Sequence, residues 1–220
     1  MRLITDQRLR NKTRVFEDRA QAGEVLAEAL AGHAEPGSAI LAIPLGGIPV
    51  ATKVASAMGG ELDLVPAARL PLPDKPLVGF GAVTLNGEVY LNEEFLRHVR
   101  LEKRVIDRVI EAERRKLTGR FRLLGPRPRI SLKDKAVVIV DDGLNTGYTM
   151  RAAVRSVRKF SPREIVVAVP TAAMRGIKQL ESEAATVVCP NLREGYFFSV
   201  LSAYRNWREL SEEVLEPFIQ

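Results

Sequence analysis

Cysteine and histidine are scarce in this 220-residue chain, with one Cys (Cys189) and two His. A single thiol cannot build an intramolecular disulfide framework and fits a reducing compartment, so a cytoplasmic location is expected. No run approaches the roughly 18 apolar residues of a membrane span, so no membrane partner is expected. The N-terminal stretch MRLITDQRLRNKTRVFEDR is polar and lacks an apolar centre, so no secretory signal is expected. No Ser, His or Cys triad is visible. His33 and His98 stand in polar helical contexts and read as surface residues, and Cys189 reads as packing at a strand end. No Gly-Lys-Ser/Thr follows a glycine loop, which removes a Walker A site, and G-x-G-x-x-G is absent, which removes a dinucleotide fingerprint.

Charge is present in ordinary amount, 27% of residues, with 46% hydrophobic residues, so a folded core is expected rather than disorder. The net charge is +6, yet positions 97–135 alone hold 14 Lys+Arg against 5 Asp+Glu, an excess larger than that of the whole chain. Such clustering can be a footprint for phosphates or RNA. The plainer reading is a solvated, salt-bridged helix face. Phe95 and Phe121 are too few aromatics for a base-stacking platform there.

Periodicity organises the rest. An amphipathic helix is predicted over Phe16–Leu30, with Ala22, Val25, Leu26, Ala29 and Leu30 on one face. Ser38–Ile43 reads as a strand buried on both faces, followed by the turn Pro44-Leu-Gly-Gly47 and a helix over Val50–Met58. Leu62–Ala68 reads as a strand that Pro66 pushes to an edge or a bend. Residues 70–78 are too proline-rich for helix. Phe80–Leu85 and Glu88–Leu91 flank Asn86-Gly87, a two-residue hairpin signal. A long helix is predicted over Arg97–Thr118, and Gly125–Arg129 is a connector. Lys135–Asp141 is the clearest buried strand, then a helix over Thr149–Phe160, a strand over Glu164–Pro170, a helix near Met174–Glu181 and a strand over Thr186–Cys189. An amphipathic turn over Glu209–Ile219 closes the chain. The apolar run Phe197, Phe198, Val200 and Leu201 reads as core, with a subunit interface as the other reading. Alternating strands and helices predict an α/β fold: a mainly parallel twisted sheet with helices on both faces. The expectation is one domain over 1–220, with a lid-like insertion at about 70–95.

In such a sheet, ligands collect beyond the carboxyl ends of the strands. One strand end is chemically loaded: Val137-Val-Ile-Val-Asp-Asp-Gly-Leu-Asn-Thr-Gly-Tyr-Thr-Met150. Adjacent carboxylates repel unless a cation or ligand hydroxyls engage them. Gly143 and Gly147 let the backbone curl, so that Asn145, Thr146, Tyr148 and Thr149 can aim N–H and hydroxyl donors into one concavity at a helix N-terminus, an anion cup. Acid pair and cup together match a sugar carrying a diol and a phosphate, the layout of a ribose 5-phosphate. The plain alternative is an ordinary strand-to-helix turn.

Val140-Asp-Asp-Gly-Leu-Asn-Thr-Gly-Tyr-Thr149 closely resembles the PRPP-binding motif of type I phosphoribosyltransferases. The likeness extends over most of the chain. Ile43-Pro-Leu-Gly-Gly-Ile-Pro-Val-Ala51 is similar to that family's pyrophosphate loop. The hairpin Gly79–Glu93 and the tail Ala203-Tyr-Arg-Asn-Trp207 resemble a little-characterised bacterial and archaeal branch. The resemblance implies a Mg²⁺-dependent phosphoribosyltransferase fold with a flexible loop at about 70–95 and a small C-terminal hood at about 190–220. It implies that a nitrogen nucleophile, a nucleobase or related small-molecule acceptor, displaces pyrophosphate from PRPP. It further implies that Asp141 and Asp142 hold the ribose hydroxyls, directly or through Mg²⁺, and that Gly143, Leu144, Asn145, Thr146, Gly147, Tyr148 and Thr149 form the 5′-phosphate loop. Leu45, Gly46 and Gly47 would meet the pyrophosphate, and Arg69 and Lys75 would supply positive charge to it. Many members dimerise, so a homodimer is expected.

Three positions depart from the family pattern. Relatives of this branch generally carry Arg or Lys where this chain has Leu45. Their basic-basic-small-Gly strand end appears here as Ala68-Arg-Leu-Pro71, with one cation. Asn145 stands where members acting on 6-oxopurines place an Asp that handles a base proton, and an amide cannot be a general base at neutral pH, so that substrate class is disfavoured. The Leu45 departure and the basic stretch motivate an alternative, a non-catalytic PRPP-sensing regulator that binds nucleic acid. A phosphatase-like or phosphorylase-like use of the pocket is a third reading.

Overall fold

The computed structural model describes residues 1–122 and 130–218; the connector expected at Gly125–Arg129 and the last residues of the tail, Ile219 included, lie outside the described residues. In chain order the elements are β1 (Arg2–Ile4), α1 (Arg19–Leu30), β2 (Ala39–Ala42), α2 (Gly47–Met58), β3 (Leu62–Leu64), β4 (Ala67–Leu72), β5 (Lys75–Thr84), β6 (Val89–Leu91), α3 (Glu93–Val99), α4 (Lys103–Phe121), β7 (Ala136–Val140), α5 (Tyr148–Arg158), β8 (Glu164–Ala168), β9 (Thr171–Ala173), α6 (Met174–Lys178), β10 (Thr186–Val188) and β11 (Asn191–Arg193). Two short 3₁₀ segments, Val200–Ala203 and Glu212–Phe218, follow.

The sheet has six parallel strands in the order β1-β10-β8-β7-β2-β3. Its strands are short apolar runs because both faces are covered. Ile40, Ala42, Val138, Val140 and Val166 face one cluster with Leu26, Leu30, Val50 and Val54 of α1 and α2. Leu41, Val137, Ile139 and Val167 face the other, with Ala153, Val154 and Val157 of α5. The expected α/β architecture is therefore the observed one. Chain order reverses between β2 and β7, since the chain runs outward from β2 to β3 and then returns beyond β2 to β7 and β8. That is the switch point, the place beyond the strand ends where ligands collect in open parallel sheets.

Several boundaries move for local physical reasons. The strand expected over Leu62–Ala68 splits at Val65-Pro66: β3 forms the edge of the main sheet, and β4 starts a separate antiparallel sheet, β4-β5-β6. The region expected as a proline-rich flexible loop is mostly paired strand. Leu72 pairs Lys75 across a Pro73-Asp74 turn, with register shifts at Pro71 where no N–H is available on an edge strand. The second hairpin is longer than its two-residue signal. Thr84 bonds Glu88 across Leu85-Asn86-Gly87, and Gly87 takes φ 89°, the three-residue loop that ends on a left-handed glycine. The helix expected over Arg97–Thr118 is two helices. Asn92 caps α3 by accepting from the Phe95 N–H at 3.0 Å, and Arg100 ends it at φ 52°. Short β1, β9 and β11 escaped the periodicity reading altogether.

Part of the basic stretch is ion-paired, within α4 through Lys103–Asp107, Arg114–Glu111 and Lys116–Glu113, and to acids elsewhere in the chain through Arg120–Glu212 and Lys135–Glu61. Cys189 is fully buried, and burial pushes its thiol far up, so it is an inert packing group. The run read as core divides: Phe197 is 95% and Leu201 52% exposed, whereas Val200 packs on the cluster of Phe16 and Tyr204.

Candidate active site

Both loops at the switch point carry the predicted residues. After β2, the chain turns through Pro44-Leu45-Gly46 into α2; the Pro44–Leu45 peptide is cis. Leu45 packs inward on the apolar cluster beneath α2, so its side chain has no part in a polar site. Gly46 and Gly47 are required by proximity. A Cβ on Gly46 would lie 2.3 Å from Asp142 Oδ2, and one on Gly47 would lie 2.7 Å from the Val140 carbonyl oxygen and 3.1 Å from the Asp141 Cα. The structure thus brings this turn against the acid pair.

Asp141 and Asp142 leave the end of β7 and face different neighbours. Asp142 Oδ2 accepts from Arg19 Nε at 2.8 Å, and the Arg19 and Asp142 side chains are 11% and 14% exposed. The Asp142 carbonyl accepts from the Tyr204 hydroxyl, which burial and then the Asp142 charge push well above the usual phenol range. Burial pushes the Asp142 carboxyl up, and Arg19 opposes that. Asp141 makes no ion pair among the described residues; its Oδ1 accepts the Asp142 N–H at 2.8 Å. Burial and then the charge of Asp142 push its carboxyl well above the usual carboxylate range. One acid is therefore held by a cation, and the other is left for something else.

The following loop is built to present N–H groups. Leu144 is the exception, because its side chain is buried and its N–H donates to the Thr171 carbonyl at 3.0 Å. Its expected role as a phosphate donor is thereby corrected to an anchor on β9. From Asn145 to Thr149, no acceptor among the described residues takes the backbone N–H groups. Gly147, at φ 79°, turns the chain into α5, so these donors gather at its N-terminus. Asn145 Oδ1 accepts from Arg175 Nε at 3.1 Å, and Arg175 Nη1 donates to the Tyr196 carbonyl at 3.0 Å. Asn145 is thus a tethered loop residue, and Arg175 is a tether that no sequence signal marked, being 30 residues downstream beyond an unpredicted strand.

Tyr148 departs from expectation in its side chain. Its hydroxyl accepts from Asn92 Nδ2, and its ring packs on Tyr90, centroids 5.5 Å apart, in a small cluster with Ala82 and Ala152. The hydroxyl therefore fastens α5 to the antiparallel sheet instead of lining the cup. Tyr148→Phe should cost about 1 kcal/mol in thermal unfolding while leaving phosphate-ligand affinity within about twofold; a large loss of affinity would return the hydroxyl to the cup.

Arg69 and Lys75 lie on the antiparallel hairpin, both exposed, with Arg69 Nη2 donating to the Pro76 carbonyl at 3.2 Å. The cation bonded to the acid pair is Arg19, from a helix the sequence reading treated only as core-facing. Trp207 lies against it, with the guanidinium carbon 3.8 Å from a ring centroid. The tail motif Tyr204–Trp207 thus closes over the back of the acid pair.

A family model described as "Phosphoribosyl transferase domain" matches residues 17–203. The Mycobacterium tuberculosis protein named "Putative phosphoribosyl transferase Rv0571c" is 34% identical over 211 residues, covering 94% of this chain and 46% of that protein. This chain therefore spans about half the length of the curated relatives it matches. The crystal structure of TT1426 from Thermus thermophilus superposes with TM-score 0.74 at 36% identity, covering 93% of this chain and 97% of the other. AQ2163 protein from Aquifex aeolicus shares the fold at TM-score 0.50 and 15% identity, over 84% of this chain and 78% of that one. With the matched region running from before α1 to the tail, and with the switch-point loops inside it, the chain belongs to the phosphoribosyl transferase domain family.

Proposed function

We propose that this chain binds PRPP at the crevice between β2 and β7 and transfers its phosphoribosyl group to a nitrogen acceptor, releasing pyrophosphate. The observation that carries the reading is the run of unpaired N–H groups from Asn145 to Thr149 beside a carboxylate, Asp141, that has no cation of its own among the described residues. Five successive N–H groups with no acceptor among the described residues suit a phosphate monoester, and a carboxylate without an ion-pair partner at the adjoining strand end suits sugar hydroxyls. The Gly46-Gly47 turn would receive the diphosphate, which needs close backbone approach and tolerates no Cβ. In the reaction, the acceptor nitrogen forms its bond to C1 as the C1–O pair departs with diphosphate, and the acceptor's proton passes to solvent or to the leaving group. Catalysis is then a matter of positioning and of stabilising the departing charge.

The residues fit Mg²⁺ as a partner of the ligand rather than as a resident ion. Among the described residues, no group of three or more His, Cys, Asp or Glu could cage a metal. Asp141 and Asp142 offer hard oxygens, and Mg²⁺ is commonly held by one or two carboxylates together with substrate phosphates and water. When bound, it would neutralise charge on the departing diphosphate.

Asn145 supports an acceptor other than a 6-oxopurine, since its carbonyl oxygen is occupied by Arg175. The paired charges of α4 weigh against the nucleic-acid-binding reading. A homodimer belongs to the same proposal, and the exposed Tyr196 and Phe197 support it; sedimentation at micromolar concentration should give twice the chain mass. The central test is incubation with PRPP, Mg²⁺ and a panel of nucleobases and amines while following pyrophosphate. Release with at least one acceptor is expected. No release with any acceptor, together with no heat on adding PRPP, would sink the proposal.

A further inference from the structure

The turn that would receive diphosphate has no cation of its own: position 45 is Leu, half-buried against the apolar cluster. A cation nevertheless stands beside it. Asp142 Oδ2, the atom that a Cβ on Gly46 would meet at 2.3 Å, is the same atom that accepts from Arg19 Nε at 2.8 Å. The guanidinium therefore lies one hydrogen-bond length beyond a carboxylate that touches the turn. It is held from behind as well, with Nη1 donating to the Arg208 carbonyl at 2.8 Å and the face of Trp207 stacked against it. Nη2 makes no bond among the described residues, and neither does the backbone N–H of Gly46.

We infer that Arg19 is the cation that engages the departing diphosphate, in the role the pyrophosphate turn itself leaves unfilled. This rests on the PRPP reading of the crevice. A carboxylate carries one negative charge and a diphosphate carries more, with oxygens suited to the forked donor of a guanidinium, so a diphosphate over Gly46-Gly47 outcompetes Asp142 for Arg19. Trp207 and the Arg208 carbonyl supply a stationary backing against which the head exchanges one anion for the other. Asp142, released, then faces the sugar and any ion that travels with it.

Calorimetry in magnesium buffer with pyrophosphate, PRPP and ribose 5-phosphate separates this role from simple neutralisation of Asp142. Arg19→Gln should weaken pyrophosphate and PRPP by about tenfold to a hundredfold, the worth of a charged hydrogen bond. It should leave ribose 5-phosphate, which has no diphosphate, within about twofold, and Arg19→Lys should keep most of the affinity. Equal loss for all three ligands, or no loss for any, overturns the inference. A second readout needs no variant. Trp207 is the sole tryptophan, so exchange of Asp142 for a diphosphate on the guanidinium stacked against its ring should change the emission of the unaltered protein on adding pyrophosphate, and not on adding ribose 5-phosphate. Unchanged emission at saturating pyrophosphate overturns the inference. If the unaltered protein takes up ribose 5-phosphate but these arms fail, Arg19 alone is wrong. If it binds neither ribose 5-phosphate nor PRPP, the reading of the crevice falls with it.

Discussion

Asp141→Asn is expected to bind PRPP about a hundredfold more weakly or worse, and yet to melt at a higher temperature than the unaltered protein. The two effects share one cause. Burial, and then the neighbouring charge of Asp142, make an ionised Asp141 unfavourable in the folded state. An amide of the same shape removes that cost, about 1 kcal/mol or more, and its oxygen can still accept the Asp142 N–H. What the amide lacks is the negative charge that holds ligand hydroxyls. Because the folded carboxyl titrates above its unfolded value, the unaltered protein has its full relative stability at acid pH and loses it as pH rises through the folded value. The variant's advantage should therefore be small in acid and grow toward neutrality. Melting curves across pH, paired with PRPP calorimetry, check both halves. Unchanged PRPP affinity would remove Asp141 from the site.

Glu183→Gln is expected to be strongly destabilising, at about 3 kcal/mol and roughly 10 °C in melting temperature. The Glu183 side chain is 4% exposed and receives Arg151 at 2.8 Å, Arg155 at 2.8 Å and Arg158 at 3.3 Å. Arg158 also donates to the Glu183 carbonyl, and Arg151 and Arg155 lie over the ring of Tyr90 at 4.6 and 5.5 Å. One carboxylate therefore gathers the outer face of α5, the turn before β10 and the antiparallel sheet. Neutralising it takes the shared counter-charge from three guanidiniums that stand close together and leaves Glu88 near Arg155. Burial pushes the Glu183 carboxyl up, but the bonds from Arg155 and Arg151 outweigh it and hold the group below the usual carboxylate range. Its contribution is accordingly present above the unfolded value and is lost as pH falls through the folded one. The unaltered protein should show an acid decline in stability that the variant largely lacks. Equal melting temperatures at neutral pH would show the cluster to be solvated and energetically idle.

The acid pair, the two glycine turns and the donor loop were legible because they are contiguous: a buried strand fixes where its end lies, and the residues that follow have only a few ways to turn. Tyr148 misled for the same reason. Its position in the loop was read correctly, but the direction of its ring was set by Tyr90 and Asn92 from the antiparallel sheet. Pro66 signalled a bend, and the bend proved to be the break between two sheets. The long helix predicted from Arg97 failed at Arg100, where a left-handed residue stops one helix without the glycine that usually announces it.

Short-range pattern alone determined the parallel sheet, its two covered faces and the acid-and-glycine loop that follows β7, since each depends on residues within one strand-turn-helix unit. Tertiary structure alone decided which side chains answer those charges. Arg19 reaches Asp142 across 123 residues, Arg175 reaches Asn145 across 30, and the three arginines of α5 meet Glu183 across 25 to 32. Electrostatic partners are chosen by distance in space, and a lone arginine on a helix looks the same in sequence whether it faces water or a carboxylate.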